Sequence, residues 1–172
     1  MYTFFEIKRN PVVGTVCQNP TSRYQSVVVG FQNWGDEKYV CIINEKGKCQ
    51  KIEYYHFCER YAYRGESKQD FNNLFVPTKS SQGFSKTSFD VGDIVSFCGM
   101  KHVITRVFDK DTRKGVVKCA ILVNENGNHS TKPMLQVSAA TFVGKSKVRL
   151  KHMLNLKEET FKAVKKIMKK GG

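Results

Sequence analysis

Residues 103–127, VITRVFDKDTRKGVVKCAILVNENG, decide the fold. Val103 through Val107 is a β-branched run, Asp109 to Gly115 a charged loop, Val117 through Val123 a second apolar run, and Asn124-Glu125-Asn126-Gly127 a turn. Two short apolar runs joined by a polar loop and closed by Asn and Gly predict an antiparallel hairpin, because those two residue types tolerate positive φ. Residues 27–47, VVVGFQNWGDEKYVCIINEKG, have the same order: Val27-Val28-Val29, a loop with Trp34-Gly35, Tyr39 through Ile43, then Asn44-Glu45-Lys46-Gly47. Upstream, Val13-Gly14-Thr15-Val16 matches Val91-Gly92-Asp93-Ile94-Val95. The chain therefore reads as an internal repeat of two β modules.

Each half predicts four or five short strands separated by turn clusters, and modules of that size usually close into small barrels that remove exposed strand edges. The expected organisation is an N-terminal module over 1–63, a polar linker over 64–88, and a C-terminal module over 89–172 that includes a basic strand and a basic helix. In the linker, Phe71, Leu74, Phe75 and Val76 are the residues able to dock on a module.

The stretch 91–123, VGDIVSFCGMKHVITRVFDKDTRKGVVKCAILV, resembles the KOW and Tudor type of SH3-like barrels. The matching features are Gly92-Asp93-Ile94-Val95 at the first strand, Gly99 in the turn, Val103 through Val107, and Val116 through Val123, within roughly residues 89–143. The family's usual glycine at the start of the second strand is replaced by His102-Val103, so KOW-style RNA contacts are not expected there. In size, charge and barrel pattern the chain also resembles the MotB-type early proteins of T4-type bacteriophages. That resemblance implies sequence-tolerant DNA binding in an infected host's cytoplasm, with effects on nucleoid structure and transcription.

Charge points the same way. The chain carries 29 Lys and Arg against 15 Asp and Glu, a net of +14, and residues 145–172 hold ten of those cations against two Glu. In KSKVRLKH (145–152), Lys145, Lys147, Arg149 and Lys151 recur every second residue, which on a strand places them on one face. Asn155 and Glu158 then form a capping-box-like start to a helix. On that helix Leu156, Phe161, Val164, Ile167 and Met168 make an apolar stripe, opposite Lys162, Lys165, Lys166, Lys169 and Lys170. Lysines four apart repel by a few tenths of a kcal/mol per pair, a cost that an anionic partner offsets. Lys101, Arg106, Lys110, Arg113, Lys114 and Lys118 in and around the charged hairpin extend the candidate surface, against Asp109 and Asp111.

These cations predict phosphate tracking on double-stranded DNA without base reading. RNA, a ribonucleoprotein or an acidic protein such as a polymerase or defence complex are the alternative partners. The aromatic-rich YYHFCERYAYR (54–64) and the single Trp34 offer rings for stacking or for a core. No phosphate loop, dinucleotide fingerprint, nucleophile elbow or HExxH occurs, so neither an enzyme nor a cofactor is expected. Cys41, Cys49, His56 and Cys58 do not have zinc-site spacing, so no metal is expected and the six cysteines read as reduced. No apolar run approaches the roughly 18 residues of a membrane span, and the chain reads as soluble and cytoplasmic. Oligomeric state is open.

Overall fold

The computed structural model describes residues 2–78, 88–158, 162, 165 and 166. Among them the protein is mainly β, in two five-stranded antiparallel sheets. The first contains β1 (Thr15–Gln18), β2 (Gln25–Trp34), β3 (Glu37–Asn44), β4 (Cys49–Glu53) and β5 (Ala62–Glu66), in the order β4-β3-β2-β1-β5. The second contains β6 (Asp93–Phe97), β7 (Met100–Thr112), β8 (Gly115–Asn124), β9 (His129–Pro133) and β10 (Thr141–Lys145), in the order β10-β6-β7-β8-β9. A short helix, α1 (Tyr54–Arg60) or α2 (Met134–Ser138), connects the last two strands of each sheet.

The repeat is therefore real at the level of topology, and it extends to irregularities. Both β2 and β7 shift register against their hairpin partners, between Val28 and Gly30 and between Ile104 and Arg106. Both β5 and β10 bulge just before a glycine of positive φ, Gly65 at 134° and Gly144 at 152°. Such backbone angles admit glycine almost alone. Among the described residues neither sheet closes on itself, since β4 and β5, and likewise β9 and β10, are opposite edges. The expectation of closed tandem barrels is corrected to two open sheets.

The strands read as unbroken apolar runs because both faces are covered. Cys17, Val28, Val40 and Ile42 face an outer core with Phe4 and with Phe57 of α1. Val95, Ile104, Ala120 and Leu122 do the same with Val137 of α2. The alternate residues Val16, Val27 and Ile43 meet Ile94, Val103 and Val123 in one central core that the two repeats share.

The repeats also interlock through their tails. After β5 the chain makes a 3-10 helix, Phe71–Asn73, and after β10 another, Leu150–His152. Phe71, Leu74, Val148 and Met153 enter the central core. Past each 3-10 helix the backbone pairs with the other repeat: Thr78 N–H donates to the Lys145 carbonyl (2.8 Å) and Lys147 N–H to that of Val76 (2.9 Å). Reciprocally, Lys68 N–H donates to the Asn155 carbonyl (2.6 Å) and Lys157 N–H to that of Glu66 (2.8 Å). This exchange has the self-complementary pattern of a two-fold interface, built inside one chain. Residues 64–78, read from sequence as the start of a linker, belong to this structure, while 79–87 lie outside the described residues.

The C-terminal expectations need two adjustments. The KSKVRLKH stretch leaves the sheet after Lys145, so its cations do not share a single strand. Burial still alternates through Arg149, with Ser146 and Val148 inside, but Lys151 sits on the second 3-10 helix. Asn155 belongs instead to the exchanged tail: its carbonyl accepts from Lys68 N–H, Leu156 bridges to Ser67 and packs on the central core, and helical backbone is reached only at Glu158. Glu158, Lys162, Lys165 and Lys166 have helical backbone and are exposed. The rest of the expected helix, including Phe161, Val164, Lys169 and Lys170, lies outside the described residues.

Candidate nucleic-acid interface

The β10 bulge and the exchanged tail set the first group of cations. Ser146 is pinned by donating its hydroxyl to the Leu74 carbonyl (2.6 Å) and accepting from Val148 N–H (3.1 Å). With Ser146 and Val148 turned inward, Lys145, Lys147 and Arg149 are turned to solvent. Lys145 also approaches the fully buried Asp93, Nζ to Oδ1 at 3.9 Å, and Asp93 accepts from Asp90 N–H (2.9 Å). Lys145, Arg149, Lys151 and His152 line a cleft of about 310 Å3 whose floor includes Val91 and Leu150.

A second depression of about 350 Å3 continues from it, sharing Val91, Leu150 and Lys151. Its far wall is the β3–β4 turn of the other repeat, with Glu45 and Lys46, and its end is Arg106 with Val107. The β7 bulge explains Arg106: Thr105 turns inward, donating its hydroxyl to the Gly47 carbonyl at 2.6 Å, and the next side chain is re-aimed outward. The Arg106 guanidinium lies 5.1 Å from the Phe108 ring centroid, a cation–π contact that orients it. Gly47 is obligatory here, because a Cβ on it would stand 2.1 Å from the Thr105 carbonyl oxygen and its φ is +81°. The two depressions form one groove lined by Lys46, Arg106, Lys145, Arg149, Lys151 and His152 against Glu45.

Of the cations expected from sequence, the groove gathers Lys145, Arg149, Lys151 and Arg106, with Lys147 exposed on the same tail. Lys110, Arg113, Lys114 and Lys118 lie instead on the exposed β7–β8 arm. Lys101 is half-buried, its Nζ reaching the Phe75 carbonyl at 3.5 Å. Lys162 pairs with Glu158 at 3.4 Å. Lys46 and His152 were not singled out from sequence. Lys46 has a signal in retrospect, as the variable residue of the repeated Asn-Glu-x-Gly turn; Asn126 is its counterpart.

The counterparts are informative throughout. In the first repeat Gly65-Glu66-Ser67-Lys68 stands where the second has Gly144-Lys145-Ser146-Lys147. Glu66 accepts from the Thr15 hydroxyl (3.0 Å), as Lys145 pairs with Asp93 at the matching place. Asp70 precedes the first 3-10 helix and caps it, accepting from Asn72 N–H at 3.1 Å. Arg149 precedes the second and caps nothing. Lys151 matches Asn72, and Arg106 matches Gly30 at the bulge.

The remaining sequence candidates separate cleanly. Tyr61 and Tyr63 are buried in the outer core, where burial pushes the Tyr61 hydroxyl up to about 12. Tyr54 packs against that core, and Tyr55 is exposed, edge-on to Phe5. Trp34 is 81% exposed and covers no core. Cys41 and Cys58 are buried while His56 is exposed on α1, and no group of three metal-ligating side chains gathers among the described residues. No helix among them is long and apolar enough to cross a membrane. Compared with known proteins, the chain matches no family model, no curated protein and no solved structure.

Proposed function

We propose that this protein is a non-enzymatic, largely sequence-independent binder of double-stranded DNA, gripping phosphates in the groove lined by Lys46, Arg106, Lys145, Arg149 and Lys151. One observation carries the reading. The two repeats share strand order, bulges, glycines and core, yet at the groove positions Lys145, Arg149, Lys151 and Arg106 the other repeat has Glu66, Asp70, Asn72 and Gly30. A fold that accepts either set does not require the cations. Arg149 even occupies a capping position where Asp, Asn or Ser is preferred and where an arginine side chain has no acceptor to offer.

The lysines of the β7–β8 arm and of the C-terminal segment add to this field, and long-range attraction would speed encounter with a polyanion. The matching strand orders β5-β1-β2-β3-β4 and β10-β6-β7-β8-β9 support reading both halves as SH3-like units. We place the action in the cytoplasm, on nucleoid structure or transcription, and a bacteriophage origin accords with the MotB-type resemblance. Anisotropy with two unrelated labelled duplexes at about 50 and 200 mM salt tests the proposal. Expected are equal affinities for both sequences and a steep loss with salt. Absence of binding at the lower salt would refute it and turn attention to an acidic protein partner.

A further inference from the structure

Beside the β8–β9 turn, the counterpart of the β3–β4 turn that walls the basic groove, lies another depression with a different chemistry. Here the β8–β9 turn faces β2, as the β3–β4 turn faces β7, leaving a depression of about 590 Å3. Its lining holds Phe31 and Trp34, the carboxamides of Gln32, Asn33, Asn126 and Asn128, one cation, Lys51, and one carboxylate, Glu125, which accepts from Lys101 N–H at 2.9 Å. Gln32 donates its amide to the Asn126 carbonyl (2.6 Å), and Lys51 Nζ donates to Asn128 Oδ1, which leaves the Asn128 amide N–H groups as donors. Trp34 stands at the rim, at the end of β2, before the Gly35-Asp36 turn. The aromatic with the largest apolar surface is thus held in water beside three asparagines, a glutamine, one ammonium and the Glu125 carboxylate, which is engaged with the Lys101 backbone.

That combination fits a planar ring with polar edges and a neighbouring negative charge. We infer that this depression is a second site that takes an unpaired nucleobase, stacked on Trp34, its edge met by the carboxamides and its phosphate by Lys51. A neutral sugar ring also stacks on indole, but it gives Lys51 and the net charge of +14 no role. The inference rests on the nucleic-acid reading above and adds to it a single-strand contact, separate from the duplex groove. The protein would then hold duplex in one groove and an unstacked base, at a nick, fork or bubble, in the other.

Trp34 is the only tryptophan, so intrinsic fluorescence reports on this site alone. The full-length protein is titrated with an oligothymidylate and, separately, with a blunt duplex, following tryptophan emission and the anisotropy of a label on the nucleic acid. The oligothymidylate should quench Trp34, and W34A should weaken it by about 5- to 100-fold, the effect of losing one base stack. W34A should leave duplex affinity within about twofold, which also shows that the variant is folded, while N33A/N126A should weaken the single strand without removing the fluorophore. Single-strand binding with unchanged emission and no effect of W34A would overturn the inference, as would quenching by a neutral oligosaccharide but not by oligothymidylate. Failure of the duplex proposal has its own signature, loss of duplex anisotropy with the quenching intact.

Discussion

Exchanging Arg149 and Lys151 for their counterparts in the other repeat, R149D with K151N, should raise stability while lowering DNA affinity. In the first repeat Asp70 Oδ1 accepts from Asn72 N–H at 3.1 Å, and R149D recreates that acceptor in front of the second 3-10 helix. A helix cap is worth about 0.5–2 kcal/mol in an α-helix, and a single 3-10 turn should recover the lower end, about 0.5–1 kcal/mol. For a chain of this size that is a Tm increase of roughly 1–4 °C. On DNA, two phosphate contacts disappear, so the slope of log affinity against log salt should flatten by about 1.8. Between about 50 and 200 mM salt the affinity gap between wild type and variant should then narrow by roughly tenfold. Thermal denaturation and salt-dependent anisotropy on the same preparations read both effects. A Tm that falls by several degrees would break the equivalence of the repeats, and an unchanged salt slope would remove Arg149 and Lys151 from the interface.

Three further expectations concern the scaffold. Gly47→Ala combines a positive φ with a 2.1 Å clash against the backbone of the opposite sheet and should cost more than about 3 kcal/mol in urea denaturation. Gly35→Ala, with φ +64° and nothing within 4 Å, should cost only about 1 kcal/mol, and similar losses for both would disprove the close approach of the turn to Thr105. Cys98 and Gly99, at φ +50° and +78°, form a two-residue hairpin turn, so Cys98→Asn should stabilise by roughly 0.5–1 kcal/mol, part of the strain of an ordinary side chain in the left-handed region. Of the six thiols, exposed Cys98 should react rapidly with a disulfide reagent near pH 8. Cys49, pushed up to about 11 by burial, and the buried Cys17 should wait for unfolding; fast reaction of more than one thiol would contradict the packing.

Much of this was legible because it is local. The hairpins follow from Asn-Glu-x-Gly and from Gly-Asp-Ile-Val, and the outward direction of Lys145, Lys147 and Arg149 from period two. What escaped depends on pairs far apart in sequence. Nothing near Ser67 announces that its neighbour Lys68 will pair with Asn155, or that Val76 will receive Lys147 N–H. A polar stretch with Phe71 and Leu74 inside it therefore reads as a linker. The repeated Gly-x-Ser-Lys was the available clue, since a segment that recurs with its glycine and serine in both halves belongs to the module. Closed barrels were expected because small modules usually hide their edges that way; here each sheet instead covers both faces, sharing one core with its partner.

The interlock also decides where a site can arise. Lys46 belongs to the first repeat and Lys145, Arg149 and Lys151 to the second, and they line one groove only because the β3–β4 turn crosses onto β7 and the tails exchange. Core positions changed little in type between the copies: Val16 with Ile94, Val27 with Val103, Ile43 with Val123, Leu74 with Met153. Groove positions changed in kind, from Glu66, Asp70 and Asn126 to Lys145, Arg149 and Lys46. In a chain with an internal two-fold, the fold accounts for what the copies share, and their differences mark surface available for function. By that measure the basic groove is the first place to look, and the Trp34 depression, beside the β8–β9 turn that matches the β3–β4 turn, is the second.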